Sequence, residues 1–419
     1  MNTISGFLPD DSLWFVNALF ITLLLAQLPA TLHLLAGLKQ AVLHYPNPGP
    51  PRVPVVPDAV IPAGAAQVSI IVPTLNEVHR LSACLTGLIE QNEQVGEILV
   101  VDSNSTDGTR ELIQQFQQRD TRLRLITDDP LPPGWVGRPW ALQYGFGQSS
   151  PASEWILGID ADTEPNPALV QSLLAKAEQD GYDLVSLSPR FVMRYPGENW
   201  LHPALLITLL YRTTFATDAR QPERILANGQ CFLCRRSVLE RMGGYASARS
   251  SFCDDVTLAR NVAKAGYKVG LLDGSRLLNV RMYEGMAETW REWGRSLDLK
   301  DAASVDQLRE DLYRLTATQA LPIPVVLALL SYFSTATDWA PAGVALLGLN
   351  GLLLGLRLIL LVATAHCFDR SRAKGGWLFW LSPLADSAAV LRIFLSALRR
   401  PVQWRGRTYY FPPENVVTR

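Results

Sequence analysis

The chain has 419 residues, of which 48% are hydrophobic and only 18% charged, a balance unusual for a purely soluble protein that fits a large soluble domain joined to membrane segments. Its 38 basic and 39 acidic residues leave a net charge of -1, so no global basic field invites nucleic acid. The five cysteines, Cys84, Cys231, Cys234, Cys253 and Cys367, are odd in number and scattered, which argues against a disulfide framework. Cys231 and Cys234 have the spacing of a metal knuckle without a second pair. They read as small residues on a buried strand.

Residues 13–38 run without a charge, long enough to span a bilayer. Asp10 and Asp11 precede this run and Lys39 follows, and no basic start marks a secretory signal. The pattern predicts a retained anchor with its N-terminus outside and Lys39 inside. Residues 46–65 carry seven prolines from Pro46 to Pro62 and predict a semi-extended linker at the membrane surface.

A βα alternation follows. Strands are predicted at 67–72, 97–101, 122–127, 155–159, 184–188, 227–234 and 267–272. Helices are predicted at 79–91, 107–118 and 258–265. Apolar strands separated by helices imply an α/β fold with a mainly parallel sheet covered on both faces. Ligands of such sheets bind at the carboxyl ends of the strands. The polar residues stand there: Thr74, Asn76 and Glu77 after the first strand, Asp102 to Asn104 after the second, Asp160 and Asp162 after the fourth. No Gly-rich phosphate loop occurs at these ends, so a nucleotide would be held through a metal and side chains.

Asp160 and Asp162 are one residue apart. If the strand continues through them, alternation sets both carboxylates on one face. Two such acids suit a hard divalent ion, Mg²⁺ or Mn²⁺, that bridges carboxylates to phosphates. Asp102 reads as an acceptor for a base or ribose, or as a turn acid. Asp107 has a structural reading as an N-cap. Glu77 suits either a base or ribose contact or the first turn of a helix. Residues 132–142 form a rigid Pro-Gly-Trp loop, where Arg138 could meet a phosphate beside a helix N-terminus. Trp135 and Trp140 read as packing. Gly229, after Asn228, would let a ligand approach the backbone closely. Asp254 and Asp255 open a helix; they are either capping acids or a general base, Asp255, with its neighbour. Arg291 and Arg295 share a helical face, suited equally to surface ion pairs or to a diphosphate.

His202–Phe215 predicts an interfacial or buried helix. After Arg314 the chain turns apolar. Residues 340–365 can span a bilayer, and 377–398 is apolar but carries Asp386 and Arg392. Arg370, Arg372 and Lys374 place the loop before that last segment on the cytoplasmic side. Arg399, Arg400, Arg405 and Arg407 place the tail after it there too. A full crossing cannot satisfy both, so the segment reads as re-entrant or interfacial.

Val68-Ser-Ile-Ile-Val-Pro-Thr-Leu-Asn-Glu77, Val100-Val-Asp-Ser-Asn-Ser-Thr-Asp-Gly108, Asp160-Ala-Asp162 and Cys253-Asp-Asp255, in this order, resemble a family 2 glycosyltransferase of GT-A fold. The resemblance covers residues 66–300. It implies inverting, metal-dependent transfer from a UDP- or GDP-sugar by single displacement. By this resemblance Pro73, Thr74, Asn76, Glu77, Asp102, Asp107, Arg138, Asp160, Gly229 and Arg295 surround the donor, Asp160 and Asp162 hold the metal, and Asp255 beside Asp254 is the base. The loop at 132–142 and the stretch Val402–Tyr410 resemble membrane-anchored members acting on lipids: hopanoid-associated, ceramide and carotenoid glycosyltransferases, the myxol-glycosylating kind included. The expected acceptor is therefore a carotenoid or other membrane lipid. The chain departs from processive polymer synthases, whose Gln-x-x-Arg-Trp motif Trp290-Arg-Glu-Trp-Gly-Arg295 does not reproduce. A polysaccharide synthase and a non-catalytic sugar-nucleotide scaffold remain as alternatives. The implied organisation is an anchor at 1–45, a linker at 46–65, the GT-A domain at 66–300 and a membrane region with a basic tail at 301–419, in a multi-pass protein of the bacterial inner or plasma membrane with its catalytic domain cytoplasmic.

Overall fold

The computed structural model describes residues 10–44, 52–56, 68–213, 222–296, 299, 301–336, 339–398, 403–404 and 407–408. The chain opens with α1 (Asp10–His44). The α/β region follows as β1 (Val68–Thr74), α2 (Leu81–Ile89), β2 (Val95–Asp102), α3 (Thr109–Gln117), β3 (Leu123–Thr127), α4 (Gly137–Gln148) and β4 (Trp155–Ile159). It continues through β5 (Thr163–Pro165), α5 (Leu169–Asp180), β6 (Leu184–Ser188), β7 (Arg190–Val192), α6 (Pro196–Thr213) and β8 (Cys231–Arg235). It ends with α7 (Arg236–Arg241), α8 (Asp254–Lys264), β9 (Val269–Asp273), β10 (Leu278–Val280) and α9 (Gly285–Ser296).

Seven strands form one sheet in the order β3-β2-β1-β4-β8-β6-β9. Only β8 runs antiparallel to its neighbours, so the sheet is mixed and mainly parallel. Strand alternation sends Ile70, Val72 and Val100 into a core shared with α2, α3 and α5, and Ile71 and Val101 into a second core shared with α4, α7 and α8. Burial on both faces explains the unbroken apolar strands. A fully buried Leu or Ile side chain contributes roughly 1.5–3 kcal/mol. Cys231 and Cys234 lie on β8 on opposite faces, buried and unbonded, as the missing second pair implied.

A second sheet, β11-β7-β10-β5, was not legible in the sequence. Its strands have two or three residues, too few to show a period of two. Its edge strand β11 (Phe368–Asp369) comes from the far end of the chain and pairs with Phe191 and Val192 of β7. Of the expected linker, residues 52–56 lie against the domain, and the rest of 46–65 lies outside the described residues. Val53 N–H donates to the Asp273 carbonyl (3.0 Å), and Val56 N–H to Ser172 Oγ (3.0 Å).

The remaining helices are α10 (Val305–Leu315), a π turn (Thr316–Ala320), α11 (Pro322–Thr335), α12 (Pro341–Thr364), a 3-10 segment (Gly376–Ala385) and α13 (Asp386–Ala397). Trp14–Gln40, Pro341–Cys367 and Gly376–Ala397 are long and apolar enough to cross a membrane; α10 with its π turn and α11 form a further pair bent by 44°. Several polar residues of these helices are buried against protein, as apolar surroundings demand. Gln27 Nε2 donates to Asn350 Oδ1 (3.0 Å), joining α1 to α12. Arg357 of α12 pairs with Asp386 of α13 (2.7 Å), which also accepts from Gln319 of the π turn (3.1 Å). Helix α6 is the buried alternative of the two expected for His202–Phe215, with Leu201, His202, Ala204 and Ile207 in the interior.

Candidate active site

The carboxyl ends of β1 and β2 are level, with Thr74 paired to Asp102 across the sheet. The loops beyond them are laced together. Asn76 takes a left-handed backbone (φ 55°), and its Oδ1 accepts from Thr106 N–H (2.9 Å) while its own N–H donates to Ser105 Oγ (2.9 Å). Glu77 N–H donates to Thr109 Oγ1 (2.9 Å). Asp107 accepts from the N–H groups of Val78 (3.1 Å) and Thr109 (3.0 Å). Burial works to raise the Asp107 pKa, but the Thr109 hydroxyl and these backbone donors outweigh it and hold it low. Asp107 therefore fastens two loops, close to its structural reading as a cap, and is itself exposed.

Asp102 is fully buried at the tip of β2. Its Oδ2 accepts from Ser105 N–H (3.1 Å) and lies 3.5 Å from Arg110 Nη1. Its Oδ1 is buried with no hydrogen-bond partner. A buried carboxylate oxygen without a donor is costly. Pro73 and Thr74 line the adjoining strand end, where Thr74 Oγ1 donates to the Val101 carbonyl (3.1 Å).

Asp160 and Asp162 are not set by strand alternation. β4 ends at Ile159, and Asp160–Asp162 turn into β5. Thr163 N–H (3.3 Å) and hydroxyl (2.8 Å) both reach the Asp160 carbonyl, and this turn replaces the extended geometry that the sequence suggested. Both carboxylates remain at the sheet's carboxyl edge, half-buried.

Arg138, the second residue of α4, points into a cluster of protein groups. Its Nε donates to Asp160 Oδ1 (2.9 Å), Nη1 to Asp254, and Nη2 to the Gly229 carbonyl (2.6 Å). Gly229 admits that guanidinium: a Cβ there would sit 2.7 Å from Arg138 Nη2. The close approach expected at Gly229 is thus made by the protein's own arginine. Gly229 N–H donates to Asp255 Oδ2 (2.6 Å), and Val256 N–H to Asp255 Oδ1 (2.8 Å). Asp254 and Asp255 begin α8, so the two acids are near the helix N-terminus and beside one arginine.

Three carboxylates share one guanidinium. Burial raises the Asp254 pKa to about 7 despite Arg138, with Asp255 and Asp160 adding to the rise. Burial raises Asp255 as well, against Arg138 and its two backbone donors. Burial opposes the charge on Arg138, but Asp160, Asp254 and Asp255 outweigh it and hold the guanidinium firmly protonated.

Trp135 and Trp140 pack edge to face at 5.3 Å, and Trp140 Nε1 donates to the Asp128 carbonyl (2.6 Å), in keeping with a packing role. Arg291 is exposed and lies 3.5 Å from Glu292; the side chain of Arg295 lies outside the described residues. Tyr245 follows Gly243 and Gly244. It is buried, its hydroxyl lacks a hydrogen-bond partner, and with Arg138, Asp254 and Asp255 it lines a small pocket between β4, β8 and α8. Nothing in the local pattern of Gly243-Gly244-Tyr245 signals this, because the partners come from distant segments.

Residues 69–243 match the family model for glycosyl transferase family 2. The chain carries a family 2 glycosyltransferase domain. Over 233 residues it is 27% identical to the 4,4'-diaponeurosporenoate glycosyltransferase of Staphylococcus haemolyticus, covering 55% of this chain and 60% of that protein. Over 237 residues it is 24% identical to the probable glycosyltransferase YdaM of Bacillus subtilis, covering 55% and 53%. The matches thus span between half and three-fifths of these relatives. Among solved structures, the mannosyltransferase PcManGT from Pyrobaculum calidifontis, in complex with GDP-Man and Mn²⁺, aligns at 18% identity and a TM-score of 0.48, over 91% of this chain and 97% of that one. The Arg138 cluster joins the third and fourth of the four motifs: Asp160 lies within the matched residues and Asp254 and Asp255 just beyond them.

Proposed function

We propose that the protein transfers a sugar, with inversion, from a UDP- or GDP-sugar to a hydroxyl of a membrane lipid, a carotenoid or related isoprenoid. The observation that carries this reading is the Arg138-centred cluster. It gathers Asp160, Asp254 and the carbonyl of Gly229, whose N–H donates to Asp255, at the carboxyl edge of a family 2 domain joined to long apolar helices. The diaponeurosporenoate relative supports a lipid acceptor.

In this reading the donor's nucleoside lies over the ends of β1 and β2. Asp102 Oδ1 accepts from a base or ribose donor, and Pro73, Thr74, Asn76 and Glu77 shape that edge. Asp107 contributes by fixing the loops. The donor set at the β4 turn fits Mg²⁺ or Mn²⁺, because it offers two half-buried carboxylates and hard oxygen ligands only. Among the described residues, no group of three or more His, Cys, Asp or Glu side chains is placed to hold an ion alone. Asp160 and Asp162 would hold the ion, and bound there it offsets the charge of the leaving diphosphate.

Asp255 takes the acceptor hydroxyl's proton as that oxygen attacks the anomeric carbon, giving inversion in one displacement. Two backbone donors fix its carboxylate, and burial raises its basicity. Arg138 balances the acids so that they can be gathered in one place. The domain limits 66–300 for catalysis, with the anchor at 1–45, the linker at 46–65 and the membrane region at 301–419, belong to the same reading, as does a cytoplasmic catalytic face on a multi-pass protein. The direct test is a transfer assay on purified membranes with Asp255→Asn. Transfer should vanish while nucleotide binding persists; full turnover in the variant would remove Asp255 as base.

A further inference from the structure

Gly376–Ala397 is long and apolar enough to cross a bilayer, yet it is fastened to the family 2 domain near both ends. Just before it, β11 pairs with β7, and Lys374 N–H donates to the Arg194 carbonyl (2.9 Å). Arg194 N–H donates to Glu198 Oε2 (2.8 Å), and Glu198 Oε1 accepts from Gly285 N–H (2.8 Å), the first residue of α9. In the middle, Trp200 Nε1 of α6 donates to the Leu381 carbonyl (3.0 Å). Near its end, Arg392 donates to the carbonyls of Trp290 (3.1 Å) and Arg291 (3.2 Å), again on α9. The residues flanking the start of the segment and Arg392 near its end therefore both bond to the same α/β region.

The segment's two faces differ. One packs on the protein through Phe379, Ser382, Asp386, Ala389 and Ile393. The other exposes Trp377, Trp380, Leu384, Leu391, Phe394 and Leu398, spaced by three, four and seven residues along one stripe. The 3-10 segment also packs against α12, so the stripe adjoins a candidate span. Arg370, Arg372 and Lys374 precede it, and Arg399 and Arg400 follow in the sequence.

We propose that Gly376–Ala397 does not cross the bilayer. It lies along the catalytic-side leaflet as an interfacial platform, its tryptophan- and leucine-rich face in the acyl boundary and its basic flanks against anionic headgroups. This rests on the membrane reading above. Interfacial helices bury an apolar face about 5–10 Å deep, and the exposed Trp377, Trp380, Leu384 and Leu391 supply such a face. The platform brings the leaflet to α6 and α9, so a lipid acceptor meets the domain without a dedicated channel.

The test uses the full chain with one added cysteine. Among the described residues the five native thiols are buried and free, which lowers background. Ser371→Cys and Gln403→Cys are labelled with a membrane-impermeant maleimide in sealed vesicles of each orientation. Both should label in the same orientation; labelling in opposite orientations overturns the platform while leaving the membrane reading intact. In parallel, nitroxides at Leu384→Cys and Leu391→Cys should show the same shallow depth by oxygen and nickel-chelate collision. A steep depth difference between them also overturns it. Release of the chain by alkaline carbonate would defeat the membrane reading itself.

Discussion

Arg138 Nε donates to Asp160 Oδ1 at 2.9 Å, while the same guanidinium reaches Asp254 on the other side. One cation therefore ties the β4 turn to the start of α8. The two acids are 94 positions apart in sequence (254 minus 160), and this guanidinium bonds to both. Arg138→Met should destabilise the fold, because removing one partner of a buried pair costs about 3–5 kcal/mol. Thermal unfolding in detergent measures this. An unchanged midpoint would mean that the acids do not depend on Arg138.

Acidification should reduce transfer. The base must be ionised, and burial holds both Asp254 and Asp255 above the ordinary carboxylate range. The profile of kcat/KM against pH should therefore show an acid limb whose apparent pKa belongs to the pair. Stability has the opposite sign. The Asp254 pKa rises from 3.8 to about 7 on folding, so the folded state binds more protons between those values. This contribution is full below the lower value and is lost as pH rises through the upper one. The unfolding midpoint of Asp254→Asn should vary less across that window than that of the native chain.

Asp102 offers a buried oxygen with no donor of its own. Hydrogen bonds to charged groups contribute about 1.5–3 kcal/mol, so Asp102→Ala should weaken nucleotide binding by roughly 10- to 150-fold. Calorimetry with UDP and with GDP checks this and tells which nucleotide the site takes. Equal affinity in the variant would place the nucleoside elsewhere.

Asp160→Ala or Asp162→Ala should remove the part of nucleotide affinity that depends on Mg²⁺ or Mn²⁺. Titrations with and without EDTA separate that part. An unchanged metal dependence in both variants would move the ion away from the β4 turn.

The sheet was largely legible because its strands are buried on both faces, so that Val68–Val72 and Trp155–Ile159 stand out as apolar runs. The short strands β5, β7, β10 and β11 were not, since two or three residues carry no period. The acidic positions could be listed from motif order, but the turn at Asp160–Asp162 and the role of Arg138 could not. Arg138 sits at a helix start, where local reasoning points to a phosphate. Its actual partners depend on the sheet placing β4, β8 and α8 side by side. Likewise, the conflict between basic residues on both sides of Gly376–Ala397 was visible in the sequence, whereas Arg392 reaching back to α9 was not.

The most direct measurement is mass spectrometry of membrane lipids and pigments from cells carrying the native chain or Asp255→Asn at equal abundance. The expected result is a glycosylated lipid, with a hexose-sized mass increment, present with the native chain and absent with the variant. The same glycoside in both, or no lipid difference between cells with and without the native chain, would contradict sugar transfer to a membrane acceptor at this site.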